Sequence, residues 1–253
     1  MADQARFGFV INLEVQDSGR PTDQLPPAVR AQLYRVCGEA LNRAGIAESQ
    51  VHREDRGDGI LFVLAPTVAL RQLLDDWPAY LYQNLRAANR NAREVLRLRV
   101  GLHAGPVTVD ACGRTGRAVD LACRIGNGEE ARRLLRASPA APLLVAVSGA
   151  LFAEWTAEGG DRTAARHFQA RRTRLPEGDR TVWFHLPGVP VPTLFSAPTG
   201  VEPEAASARG RGTAPDREPG PDPTPGRQPD DPAQDPTDRS AHGPWAAEET
   251  GVA

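Results

Sequence analysis

Three segments of this 253-residue chain are polar or glycine-rich where packing alone would not ask for it. The first, HREDRGDGI (52–60), gathers Glu54, Asp55 and Asp58 around a tight turn. The second, RVGLHAGP (99–106), ends in two glycines that let another backbone come close. The third, GRAVDLACRI (116–125), puts Asp120 and Arg124 one helical turn apart on one face. Taken singly each is weak. GlyAspGly is a common turn, and an exposed Asp–Arg pair at this spacing contributes only a few tenths of a kcal/mol, roughly. His103 could serve as a metal ligand or a base, but no second histidine stands at ligand spacing, so a hydrogen-bonded structural histidine is expected. Cys123 reads as a small buried hydrophobe rather than a nucleophile.

Composition narrows the function classes. All 30 basic residues are arginine, and against 32 acids the net charge is −2, which argues against nucleic-acid binding by bulk charge. Arg162, Arg166, Arg171, Arg172, Arg174 and Arg180 cluster near one predicted hairpin, but no aromatic residues are interleaved for base stacking. A solvated or interface face is the expected role. Three cysteines without CxxC spacing fit a reduced, cytoplasmic protein. The start, MADQARFGFV, shows no signal-peptide pattern. The longest uncharged run, Ala137 to Ala153, is too short and too broken by Pro139, Pro142 and Gly149 to cross a membrane.

The elements that must position these segments alternate along residues 1–192. Arg6 to Glu14 reads as a buried strand, and Val29, Leu33, Val36, Cys37, Leu41 and Ala44 recur at helical spacing. A hairpin follows over 50–64. A second helix begins at Thr67, where Pro78 should kink it. Leu96, Leu98, Val100 and Leu102 alternate as in a strand, Arg117 to Ile125 is helical, and a further helix runs to Arg136 after Gly126-Asn127-Gly128. Leu143 to Val147 is another buried strand, and a last hairpin turns at ProGluGlyAsp. The expected fold is an α+β sandwich, a mixed sheet with helices on one side. Residues 193–253 differ: from Ser196 on there are 5 arginines against 11 acids, and ten of the 23 prolines lie beyond Gly200. This acidic tail is expected to be disordered.

The order and spacing of the three polar segments carry more than each alone. A GD-G hairpin, then R-h-G-L-H-x-G, then G-x-x-V-D-x-x-x-R resembles the class III nucleotidyl (adenylate/guanylate) cyclase catalytic domain, in the form with an HEDRGDG-type hairpin found in actinobacteria. The resemblance runs from about Phe7 to Trp183. It implies a ferredoxin-like-derived fold and a two-metal mechanism with Mg²⁺ or Mn²⁺, the metals neutralising a triphosphate and favouring a 3′-alkoxide. It also implies a head-to-tail dimer, with itself or with another cyclase-like chain, whose sites lie between subunits.

Carried over by position, Asp58 matches the hairpin metal aspartate and Arg124 the arginine that stabilises the transferring phosphate. Glu54 stands where a glutamate goes with guanine, since a carboxylate can accept from N1–H and the 2-amino group. The alternative is an exposed strand acid beside Arg53 or Arg56. Two positions depart from the pattern. Asn12 replaces the first-strand metal aspartate, and Asp120 replaces the helix asparagine that orients the ribose. Asn12 removes a charge from a metal cage, and Asp120 places a carboxylate near phosphate. Glu14 shares a strand face with Asn12 and is a weaker metal candidate. The resulting expectation is a degenerate cyclase domain that binds nucleotide or regulates cyclic-nucleotide signalling. The alternative is an active cyclase converting a nucleoside triphosphate to a cyclic nucleotide and pyrophosphate.

Overall fold

The computed structural model describes residues 5–17, 25–111 and 113–190. The tail expected to be disordered, 193–253, lies outside the described residues. Strand β1 (Ala5–Val15) is the centre of the architecture. Its odd positions Phe9, Ile11, Leu13 and Val15 all enter one apolar cluster, while Val10 enters another on the opposite side. That split is the two-residue period of a strand buried on both faces.

On the first face lie α1 (Pro27–Arg43) and α2 (Trp77–Asn89). Leu33, Val36, Cys37 and Leu41 of α1 pack with Trp77, Leu81 and Leu85 of α2 on the strand residues. Proline is tolerated at the start of α1, where its missing N–H is one the helix leaves unbonded anyway. The expected disturbance at Pro78 takes a particular form. The break falls just ahead of it, as a π-helical turn over Gln72–Asp76 in which the Trp77 N–H reaches back to the Gln72 carbonyl.

Strands β2 (Val51–Asp55) and β3 (Gly59–Leu64) form the expected hairpin. Next come β4 (Leu98–Asp110) and the short β5 (Gly113–Thr115), which folds back on the end of β4. Helices α3 (Arg117–Asn127) and α4 (Glu129–Arg136) follow, separated at Gly128. Then come β6 (Leu143–Ser148), α5 (Gly149–Ala157), the single turn α6 (Arg162–Ala165) and the hairpin β7 (Gln169–Leu175) with β8 (Gly178–His185). The α5–α6 region adds helix where the sequence pattern marks none. Its outward face is not uniformly polar, and its inward residues Leu151, Phe152 and Trp155 pack with Phe168.

Among the described residues the sheet has eight strands in the order β2-β3-β1-β4-β6-β8-β7, with β5 alongside β4. Only β4–β6 is a parallel pair in this set; the others are antiparallel. The mixed sheet and α+β class are as expected. The helices, expected on one side, are instead divided between both faces. Ala118, Val119 and Ala122 of α3 cover Val10, Leu61 and Val107, while Leu134 and Leu135 of α4 cover Leu144, Ala146, Val182 and Phe184. The physical reason is that β3 and β6 are apolar on both faces, and β1 and β4 add Val10 and Val107 to the second one, so a single helical layer would leave that surface in water. No helix among the described residues is long and apolar enough to cross a membrane.

Candidate functional site

The polar groups gather on the α3 face of the sheet. On β4, Leu98, Val100 and Leu102 take the apolar cluster of α1 and α2. Arg99, Gly101 and His103 therefore point to the other side. α3 rests directly on this stretch. A Cβ added to Gly101 would stand 1.9 Å from the Ala122 carbonyl oxygen, so only glycine permits the approach.

Asn12 and Glu14 share that face, as strand spacing requires. Asn12 is 2% exposed and pairs in register with Leu61 and Gly101, deep in the sheet. Glu14 lies opposite Gly59 and Arg99, nearer the end of the β2–β3 hairpin. There the Val15 N–H donates to the Asp58 carbonyl oxygen at 3.1 Å. Of the two β1 residues, Glu14 is the one whose charge feels Asp58. Burial first, and then repulsion by Asp58, push the Glu14 carboxyl above the usual carboxylate range; Arg99 and the amides of Asn127 and Asn12 oppose the shift.

Glu14 is already partnered. Arg99 Nη2 donates to its Oε2 at 3.2 Å, and Asn127 Nδ2 donates to its Oε1. Arg99, 3% exposed, also donates through Nη1 to Gln16 Oε1. The Asn12 amide lies close enough to favour ionised Glu14, yet its Nδ2 makes no hydrogen bond of normal geometry. Motif spacing assigns no role to Arg99, Gln16 or Asn127. For Arg99 a signal exists all the same: a charge at an alternate position of an otherwise apolar strand has to meet a partner on the far face.

Glu54 is likewise committed within its own chain. It accepts from the Arg114 backbone N–H at 2.8 Å and from Arg56 Nη2 at 2.9 Å, and lies 3.1 Å from His52 Nε2. This tethers β5 to the β2–β3 hairpin, and the Glu54 side chain, 18% exposed, is less open than the exposed strand acid the sequence allows for. Asp120 is exposed in the first turn of α3, where a negative charge suits the helix dipole. Arg124, half-exposed on the same helix, forms an ion pair with Glu177 in the β7–β8 turn. Asp58 and Arg124 are thus engaged by different parts of the chain, the one beside Glu14 and the other by the distant hairpin. His103 Nδ1 is 2.8 Å from Ser148 Oγ, and Ser148 caps α5 by accepting from Leu151 N–H. Burial lowers the His103 pKa, as for a neutral structural histidine. Burial raises the Cys123 thiol to about 11, which keeps it protonated and unreactive.

This topology has known counterparts. An adenylate/guanylate cyclase/hydrolase from Silicibacter pomeroyi superposes with a TM-score of 0.53 at 16% identity, over 74% of this chain and 99% of that one. The chain has the fold of a nucleotidyl cyclase catalytic domain. The guanylyl cyclase Cya2 matches at 18% identity and a TM-score of 0.49, over 76% of this chain and 97% of that one. No protein-family model matches the sequence, and no curated relative matches it.

On this cyclase fold, the metal pair that the sequence resemblance implies can be tested against the donors present. Among the described residues no group of three or more His, Cys, Asp or Glu side chains stands ready to hold a cation. Asn12 is neutral, and Glu14 has its two oxygens engaged by Arg99 and Asn127. Hard divalent cations favour several anionic oxygens. Of the two positions the resemblance assigns to metal ligands, Asp58 alone keeps a carboxylate, so the residues present do not supply the pair of aspartates it implies.

Proposed function

We propose that this chain is a degenerate nucleotidyl cyclase homology domain, a nucleotide-binding or regulatory module of cyclic-nucleotide signalling rather than an effective cyclase. It would act in the cytoplasm, paired with a second copy or with another cyclase-like chain, through residues 1–192. The observation that carries this reading is Asn12, a buried neutral amide where a cyclase-type metal site would need a carboxylate.

Two further observations point the same way. The groups matched to base and phosphate recognition, Glu54 and Arg124, are satisfied by Arg114, Arg56 and Glu177 of the same chain. Cyclisation requires a 3′-oxygen to attack the α-phosphate and expel pyrophosphate, and losing one stabilising group of such a transition state typically costs orders of magnitude in rate. The test is incubation of purified protein with each of the four nucleoside triphosphates and Mn²⁺, with products read by mass spectrometry. No cyclic nucleotide is expected. A cyclic product that disappears in Asp58→Ala would replace this reading with the active cyclase.

A further inference from the structure

Arg124 does not wait on the surface of α3 for a ligand; an acid from another part of the chain already holds it. We propose that Glu177 is a built-in anion that occupies Arg124, so that the polyphosphate chain of a nucleoside triphosphate must displace Glu177 to bind there. The proposal rests on the reading of Arg124 as the phosphate-facing arginine of a cyclase-type site.

Both members of the pair are presented by fixed backbone. Arg124 belongs to the helix whose Ala122 and Gly126 lie against Gly101 of β4, so its Cα has little freedom. Glu177 sits in a two-residue loop, Pro176-Glu177, between Leu175 and Gly178, which pair with each other. Pro176 restricts one turn position and Gly178, at φ +103°, supplies a backbone conformation that side-chain-bearing residues rarely adopt. Leu175, at the foot of the loop, is buried with Val182 and Phe184 beneath α4. Two side chains alone remain to be ordered when the pair closes, and both can let go without unfolding anything.

The acids of this turn are divided in their partners. Glu177 crosses to Arg124, whereas Asp179 stays on its own hairpin, 3.2 Å from Arg172 and 3.9 Å from Arg174. A guanidinium recognises carboxylate and phosphate oxygens by the same charge-assisted hydrogen bonds, so Glu177 and a phosphate compete for one group. The side chains of Arg124 and Glu177 are 38% and 42% exposed, which makes the contact weak enough for a multiply charged ligand to break.

The test measures binding of inorganic tripolyphosphate and of GTP by calorimetry to the full chain and to three single variants, Glu177→Gln, Asp179→Asn and Arg124→Ala, and to the double variant E177Q/R124A. Glu177→Gln should bind both probes about two- to fivefold more tightly than wild type, the range of an exposed ion pair. Asp179→Asn makes the same change of net charge in the same turn and should bind as wild type does. In the Arg124→Ala background, Glu177→Gln should give no gain. Equal gains for Glu177→Gln and Asp179→Asn would reduce the effect to general charge and overturn the proposal. A gain that survives Arg124→Ala, or no tripolyphosphate binding by Glu177→Gln at millimolar concentration, would overturn it too. Cyclase activity is a separate readout: a wild-type protein that makes cyclic nucleotide yet shows the Glu177→Gln gain refutes inactivity and leaves the occupancy of Arg124 standing.

Discussion

The two faces of the central sheet are built from the same strands and do opposite things. Toward α1 and α2, β1 presents Phe9, Ile11, Leu13 and Val15, and β4 presents Leu98, Val100 and Leu102. Toward α3, the residues in between include Asn12, Glu14, Arg99 and His103. The first face gains stability by removing apolar surface from water. The second holds charged and amide groups under a helix, where each must find a partner or remain a cost. The polar groups of that face are held by partners within the chain, Glu14 by Arg99 and Asn127 and His103 by Ser148.

The largest test of that contrast is a truncation on the apolar face. Leu13→Ala removes a side chain with no exposure and should destabilise the protein by about 2–5 kcal/mol in urea unfolding, while tripolyphosphate affinity stays unchanged. Loss of anion binding in the folded variant would show that the two faces are not separable.

Gly101→Ala addresses the other face. Its Cβ would meet the Ala122 carbonyl, so α3 must shift, at a cost of about 1–3 kcal/mol. Amide exchange over 117–127 should quicken more than over α1. Equal quickening of both helices would contradict a layer held separately by the sheet.

A smaller effect separates structural from functional polar residues on the α3 side. Ser148→Ala removes the cap of α5 and the partner of His103, and should cost about 0.5–2 kcal/mol without altering tripolyphosphate binding. If binding falls instead, His103 and Ser148 belong to the site.

The smallest effect is one of pH. Glu14 has a folded-state pKa raised above its ordinary value of 4.5, so folding favours its protonated form. The stability tied to that proton is fully present below the unfolded pKa and is lost as pH rises through the folded one. Glu14→Gln removes this dependence. Comparing urea midpoints at pH 7.5 and pH 5, wild type should gain relative to Glu14→Gln on acidification. A change in the opposite direction would mean that Arg99 and Asn127 outweigh burial and Asp58.

Much of the fold and part of the site are legible in the amino-acid order. The alternation in β1 and β4 separates Asn12 and Glu14 from Leu13, and the helical spacing of Leu33, Val36, Cys37 and Leu41 marks the buried side of α1. Asp58, Arg124 and Glu54 stand out because they sit in ordered motifs. The division of helices between two faces is not legible, since an apolar strand residue is equally apolar whichever layer covers it. Nor is α5, whose apolar residues Leu151 and Phe152 follow the buried strand β6 closely, with Ser148 the one polar residue between Val147 and Leu151.

The sequence by itself determined which residues share a face, because periods of two and near 3.6 are local properties of the backbone. Only the tertiary structure decided what those residues touch. Glu14 meets Arg99 and Asn127 from 85 and 113 positions away, and Arg124 meets Glu177 from another hairpin. Such pairings depend on strand order and on where each helix lies over the sheet. Local periodicity carries no record of either, so the partners that decide whether a matched residue is available to a ligand emerge only once the chain is folded.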